Sequence, residues 1–421
     1  MFLIVSVGTC QVGAWSQLEG EAAPNDQQEA FAAAAGWAEF ERELRSKYAY
    51  LDRAGQQAAN EQFARSRAVA SRAETPEAFR RVLHQTALTF TDPHLIVGPF
   101  TDDDFNVVMT SADLDVALRG DRFVVADVRA SSAADEAGVR PGWQVVAIDG
   151  VPTEEAALVP FGEVLPAPSP RQLAYGATLA ANGRRGAPKR RIVFERPDES
   201  EATPSLANPR VQARVVDEMP PVTTRRVGAG GTIGWVRFNN SVGDNETITA
   251  IRELADTDGL VIDRRNTPSG GNTEVARAVI GHFVDEPRAY QMHTIPFVER
   301  EYGVPRRFVE YAMPRAPRYE GPVAVLHGRW TGSMGEGVVI GLDAAADVHT
   351  VGSDMGDLLG ALWNVDLPAS GTRLDLGGEA LFSPDGTPRE DYVADTPLPS
   401  ADRDATGGDP ALGAALALLT K

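Results

Sequence analysis

Lysine is nearly absent from this chain. Of 40 basic residues only three are lysines, Lys47, Lys189 and Lys421, and the rest are arginines. An arginine keeps its proton at any working pH, so few side-chain amines are on hand to act as a base. Cysteine is scarcer still, with Cys10 alone. A single cysteine closes no disulfide within the chain. The six histidines form no His-x-x-His or His-Glu-x-x-His pair, so no zinc set is expected. Positive charge is also short: 40 basic residues stand against 59 acidic ones, a formal net charge of −19. That balance argues against nucleic-acid binding, which needs a basic stripe to neutralise phosphates. It disfavours adhesion to anionic membranes for the same reason. No apolar run is long enough to span a bilayer as a helix, so stable membrane insertion is not expected.

What is present is ordinary for a globular protein. The chain has 421 residues, 43% of them hydrophobic and 24% charged, enough for two or three domains with a sizeable core. Phe2 to Ala14 is apolar and uncharged, with Val12-Gly13-Ala14 as a small-residue cleavage site. This segment, residues 1–14, resembles the apolar region of a secretory signal without its positively charged start. A buried first strand is the alternative. The signal reading makes the protein exported, periplasmic or secreted, and removes Cys10.

The rest of the chain reads as three regions. Residues 28–95 carry a helical pattern, with Phe31, Trp37, Phe40, Leu44 and Tyr48 on one stripe and Thr75-Pro76 as a helix start. Residues 112–197 are strand-rich, with Pro141-Gly142 and Asp149-Gly150 as turns. The Pro-rich stretch 196–222 reads as a connection. From residue 223 to 421 strands and helices alternate, which predicts an α/β layer with parallel strands. Residues 369–386 read as a strand pair and 410–420 as a terminal helix.

Four places could carry chemistry. In Thr331-Gly332-Ser333-Met334-Gly335-Glu336 a strand runs into a Gly-flanked serine that opens a helix. Such a turn exposes a hydroxyl beside free amides, although a helix-capping serine looks the same. In Asp263-Arg264-Arg265-Asn266-Thr267-Pro268-Ser269-Gly270-Gly271 a buried strand opens into a loop whose glycines allow close backbone approach. A plain strand-to-helix turn fits it equally well. His94, in Thr91-Asp92-Pro93-His94, is the residue type of a general base, or a packing residue in a turn. Glu390, in Arg389-Glu390-Asp391-Tyr392, sits in a turn before a short strand.

In this order the four places resemble the S41 peptidase family, which holds the C-terminal processing proteases and tricorn-like proteases. "GLVIDRRNTPSGG", "VAVLHGRWTGSMGEG", "TVGSDMGDLLG" and "SPDGTPREDYVADTPLP" follow the family's motifs, and "SSAADEAGVRPGWQVVAIDGVP" is similar to a PDZ domain. The resemblance implies an α/β fold: a crotonase-like catalytic core, an N-terminal helical subdomain and an inserted β-rich PDZ domain. It implies a serine endopeptidase acting on peptide or protein substrates without metal or other cofactor. Ser333 would be the nucleophile, with an oxyanion hole from the amides of Gly270, Gly271 and Met334. C-terminal processing proteases take their base from a lysine some two dozen residues after the serine. Here the matching stretch, Asp354 to Leu359, has no amine, and Lys421 is the only later lysine. The tricorn-like alternative uses a histidine and a glutamate, whose positions match His94 and Glu390. Pro93 stands where those enzymes carry a second serine linking histidine to glutamate. A PDZ domain would bind a peptide end near Leu118, Gly120 and Phe123. The alternatives are a catalytically inactive S41-like binding protein and a PDZ-type interaction protein. Oligomeric state is left open.

Overall fold

The computed structural model describes residues 32–107, 112–210, 220–238 and 244–420. The signal-like segment 1–14 lies outside them. The fold is mixed α/β.

Three helices open the described chain: α1 (Ala33–Lys47), α2 (Gln56–Ala70) and α3 (Pro76–Leu88). The stripe Trp37, Phe40, Leu44 is buried and meets Phe63, Phe79 and Leu83 in one apolar cluster. Thr75 caps α3 by accepting from the Ala78 amide at 3.1 Å, and Pro76 fills the first turn, where its missing N–H costs nothing. The chain then turns through His94 into strand β1 (Ile96–Gly98).

The second region is a seven-stranded antiparallel sheet. Strands β2 (Leu114–Arg119), β3 (Arg122–Val128), β4 (Gln144–Ile148), β6 (Lys189–Glu195) and β7 (Glu201–Ala202) lie in the order β2-β3-β4-β6-β7. Strands β5 (Val151–Pro152) and β8 (Ser205–Ala207) flank it, on β4 and β6. β7 and β8 fall in the stretch expected to be a mere connection. Leu206 is buried there because β8 pairs with β6, a contact the Pro-rich composition hides. Helix α6 (Pro170–Asn182) starts with a reciprocal Ser169–Gln172 capping box and lies along β2.

The third region is a three-layer core. Its sheet runs β18 (Thr396–Pro397), β15 (His349–Gly352), β14 (Val323–His327), β11 (Gly259–Asp263), β10 (Ile233–Phe238), β9 (Val222–Val227). All neighbours are parallel except β9–β10. Alternation divides the faces. Val236, Leu260, Ile262 and Val325 pack on α8 (Thr273–Ile280) and α10 (Met334–Ala345), while Trp235, Val261, Leu326 and Val351 pack on α11 (Pro410–Leu419).

A second core sheet joins β1 to β17 (Thr372–Phe382), then β12 (Arg288–Thr294) and β13 (Arg307–Ala312), with β16 (Ala361–Leu367) also on β17. The strand pair thus lies earlier than expected, because residues 368–371 are its turn and Gly371, at φ +65°, closes it. The β1–β17 pairing, Ile96 opposite Asp375, brings the His94 turn onto the core.

Candidate active site

Buried strand β14 carries the chain to Ser333, which stands at φ +53° and ψ −122° at the head of α10. That left-handed conformation costs a non-glycine residue on the order of 1–3 kcal/mol and persists only where its surroundings hold it. The hold is visible. The Gly332 amide donates to the Thr267 carbonyl at 3.0 Å and the Met334 amide to the Ser269 carbonyl at 2.9 Å. Thr331 Oγ1 donates to the Arg264 carbonyl at 3.0 Å. The Arg389 guanidinium donates to the Ser333 carbonyl. Ser333 makes no side-chain cap bond, so its hydroxyl is uncommitted.

The glycines are sterically required. A β-carbon on Gly270, which stands at φ +71°, would lie 2.0 Å from the Gly335 nitrogen. One on Gly335 would lie 2.4 Å from the Thr267 carbonyl oxygen. The 267–271 loop and the serine turn therefore touch backbone to backbone. The Gly270 and Gly271 amides donate to no described acceptor, whereas the Met334 amide is already engaged by Ser269. Of the three donors expected in an oxyanion hole, two are open in this structure.

His94 is 1% exposed. Its Nδ1 lies 3.1 Å from the Leu359 carbonyl. A carbonyl only accepts, so Nδ1 carries the proton and Nε2 keeps its lone pair. Nε2 is buried and has no partner. Burial pushes the imidazole pKa down to about 4, so the ring is neutral at ordinary pH. Asp92 fixes the ring's mount. Its Oδ1 accepts from the His94 amide at 2.8 Å and the Leu359 amide at 3.3 Å, and its Oδ2 accepts from the Tyr48 hydroxyl at 2.8 Å. His94 meets Leu359, and Gly332, the residue before Ser333, faces Leu358: a β-carbon there would sit 3.1 Å from Leu358 Cδ1. No hydrogen bond joins Ser333 to His94 in this state.

Glu390 makes no hydrogen bond to His94 among the described residues. Its Oε2 has no partner, and the His94 Nδ1 proton is held by Leu359 instead. Burial raises the Glu390 pKa. Glu390 lines a cleft of about 350 Å³ together with Tyr50, Arg53, Arg171, Asp357 and Leu359. Among the described lysines, Lys47 pairs with Glu43 at 2.7 Å on α1, and Lys189 opens β6; neither lines this cleft.

Two residues escaped the sequence reading. Arg389 was quoted only as a neighbour of Glu390, and Glu336 only as a motif letter. Glu336 is 3% exposed, accepts from Arg389 through Oε2, and accepts from the Leu358 amide through Oε1 at 3.2 Å. Burial raises its pKa to about 7. A buried glutamate in the first turn of an apolar helix was the available signal, since such a group needs a partner.

Leu118, Gly120 and Phe123, the expected peptide-end contacts, form the β2–β3 hairpin. Leu118 pairs with Phe123, and Gly120, at φ +65°, makes the turn. The outer edge of β2 is closed by α6. Thr178 Oγ1 accepts from the Val116 amide at 2.9 Å and donates to the Val116 carbonyl at 3.2 Å. Asn182 accepts from the Leu114 amide at 3.3 Å and donates to the Leu114 carbonyl at 2.8 Å. A peptide adding as a strand here would have to displace both side chains.

Residues 232–395 match the model of Peptidase family S41. No curated protein sequence matches the chain at a significant level. Among solved structures, mature CPAF is 14% identical with a TM-score of 0.59, covering 92% of this chain and 96% of that one. The photosystem II D1 C-terminal processing protease is 16% identical with a TM-score of 0.54, covering 91% and 98%. At such identities the likeness is one of fold. The family model thus matches residues 232–395 of the 421, and these two structures share the fold of the chain.

Proposed function

We propose that the chain is a serine endopeptidase in which Ser333 is the nucleophile and His94 the general base. One observation carries this reading: His94 is held in a single tautomer with a buried, unpartnered Nε2, and Ser333 leaves its hydroxyl uncommitted at the head of its helix. Nε2 takes the Ser333 proton as Oγ bonds to the peptide carbonyl carbon. The imidazolium then hands that proton to the leaving amine as the C–N bond breaks. Water repeats the cycle on the acyl-enzyme and restores Ser333. The Gly270 and Gly271 amides, which meet no described acceptor, would receive the oxyanion, with Met334 joining once the Ser269 carbonyl turns away. The tautomer-fixing acceptor is a backbone carbonyl rather than a carboxylate, which accommodates Pro93.

The second reading is an inactive S41-like binding protein. The engaged Met334 amide and the missing Ser333–His94 bond favour it. Hydrolysis of a fluorogenic peptide mixture decides. Turnover by wild type, lost in Ser333→Ala and in His94→Ala, supports the endopeptidase. Turnover that survives both changes removes it. The closed β2 edge counts against a PDZ-type scaffold that recruits partners by strand addition.

A further inference from the structure

Arg389 sits on a short turn, Arg389–Asp391, that is pinned to β17 by a bridge between Phe382 and Pro388. Its side chain is 6% exposed, against 4% for Glu336. One nitrogen, Nη2, donates both to the Ser333 carbonyl and to Glu336 Oε2. Through Oε1, Glu336 holds the Leu358 amide, and the next residue's carbonyl holds the His94 ring. A continuous chain of contacts thus runs Ser333, Arg389, Glu336, Leu358–Leu359, His94. It ties the backbone of the nucleophile to the acceptor orienting the base, alongside the bond from the Gly356 amide to the Thr331 carbonyl at 2.7 Å. Glu390, the neighbouring residue, has no place in it.

We propose that Arg389 is a positioning residue for the serine–histidine pair: its guanidinium clamps the strained Ser333 peptide to Glu336 and thereby sets the spacing between Ser333 and the Leu359 carbonyl that carries His94. The proposal rests on the endopeptidase reading above. A buried pair is a poor choice for stability alone, since the desolvation of both ions largely offsets their attraction. Its value here is geometric. The two N–H bonds of the planar Nη2 point to the two acceptors in fixed directions, which the freely rotating ammonium of lysine does not hold. Misplacement of a reacting group by about 1 Å costs roughly 100-fold in rate.

The arginine also acts at a distance. Its positive charge helps to keep His94 unprotonated, after burial and against the bond to Leu359. The other titratable group on the His94 mount, Asp92, faces the His94 backbone amide rather than the ring. Removing Arg389 therefore moves the acid limb of the rate profile up, from about 4 toward the ordinary histidine value of 6.5. A residue that only supported folding would not move that limb.

The test is the pH dependence of Ser333 labelling by a fluorophosphonate in the full chain, with melting recorded in parallel. In Arg389→Ala the maximal labelling rate should fall by about 100-fold, with the half-saturating probe concentration unchanged and the acid limb raised. Free guanidinium should recover part of the rate. Arg389→Lys should keep the acid limb of wild type but label about tenfold more slowly, because charge is kept and the two-acceptor clamp is not. An Arg389→Ala protein that labels at the wild-type rate with an unmoved limb overturns the proposal and leaves the endopeptidase reading standing. Wild type that never labels overturns both. If Arg389→Ala does not fold, Arg389→Lys decides alone: slow labelling at unchanged melting supports the clamp, and wild-type labelling overturns it.

Discussion

At Ser333 the backbone stands at φ +53° while its hydroxyl is left without a partner. The cost is carried by the contact between the 267–271 loop and the 332–335 turn. Gly270→Ala should break that contact twice over, through its positive φ and through a β-carbon 2.0 Å from the Gly335 nitrogen. The expected result is a loss of roughly 3 kcal/mol or more and of all peptidase activity, read by urea melts and by peptide turnover. An unchanged midpoint would show that the loop relaxes freely. Ser333, His94 and the glycine loop were legible in the sequence because each carries its own local pattern. The lysine shortage was legible too, and it steered the choice of base to His94. Arg389 was not, because its meaning depends on a turn that returns 56 residues later to a carbonyl. No composition or spacing encodes that return. Met334 is the opposite case: a helix-start amide reads as a free donor, and here Ser269 engages it.

Among the elements, the instructive pair is β2 and α6. Edge strands invite added strands, and this one is capped by side chains from the helix beside it. The resemblance to a PDZ domain implies a peptide end bound near Leu118, Gly120 and Phe123, whereas alternation shows which faces are buried and not whether an edge is occupied. Thr178 and Asn182 were unreadable in that role: a polar residue in a helix is usually solvated, and these two are 3% and 0% exposed. Replacing both by alanine should leave the Leu114 and Val116 groups unpaired and cost about 1–3 kcal/mol for each buried group so exposed. Calorimetry of the double variant measures it. Fluorescently tagged C-terminal peptides should not bind wild type. Saturable binding that persists after Ser333 is blocked by a fluorophosphonate would contradict the closed edge.

Over the whole molecule, long-range polar contacts join the β-rich sheet to the core. Arg403 grips Asp135 with three bonds, at 2.9, 3.0 and 2.7 Å, and the Ala130 amide donates to Asp402 at 2.9 Å. Arg129 reaches Asn266, in the loop that ends in Gly270 and Gly271. Partners this far apart in the chain leave no trace in a net charge of −19. Burial also sets the pH response. His84, His94 and His327 are all pushed down to about 4. They favour the folded state above pH 6.5 and lose that contribution as pH falls toward 4. Asp92 and Glu336 are pushed up to about 7, and burial beside Asp402 raises Asp127 as well. These carboxylates favour the folded state below their ordinary range and lose that contribution as pH rises through 7. The two sets oppose each other, so the melting temperature should change little between about pH 4.5 and 6.5. Asp92→Asn removes one carboxylate from the balance. Stability should then rise with pH over that window, by roughly 1.4 kcal/mol per unit at most. A flat profile in this variant would mean that Asp92 is ionised in the fold.

The account turns on Ser333 being activated by a histidine that stays neutral well into acid. The most direct measurement is peptide mapping of the adduct formed by a fluorophosphonate at pH 5.5 and at pH 7.5, in wild type and in His94→Ala. The account predicts one adduct, on Ser333, formed about equally fast at both values in wild type and almost not at all in the variant. An adduct elsewhere, or a Ser333 adduct that forms as fast without His94, would contradict it.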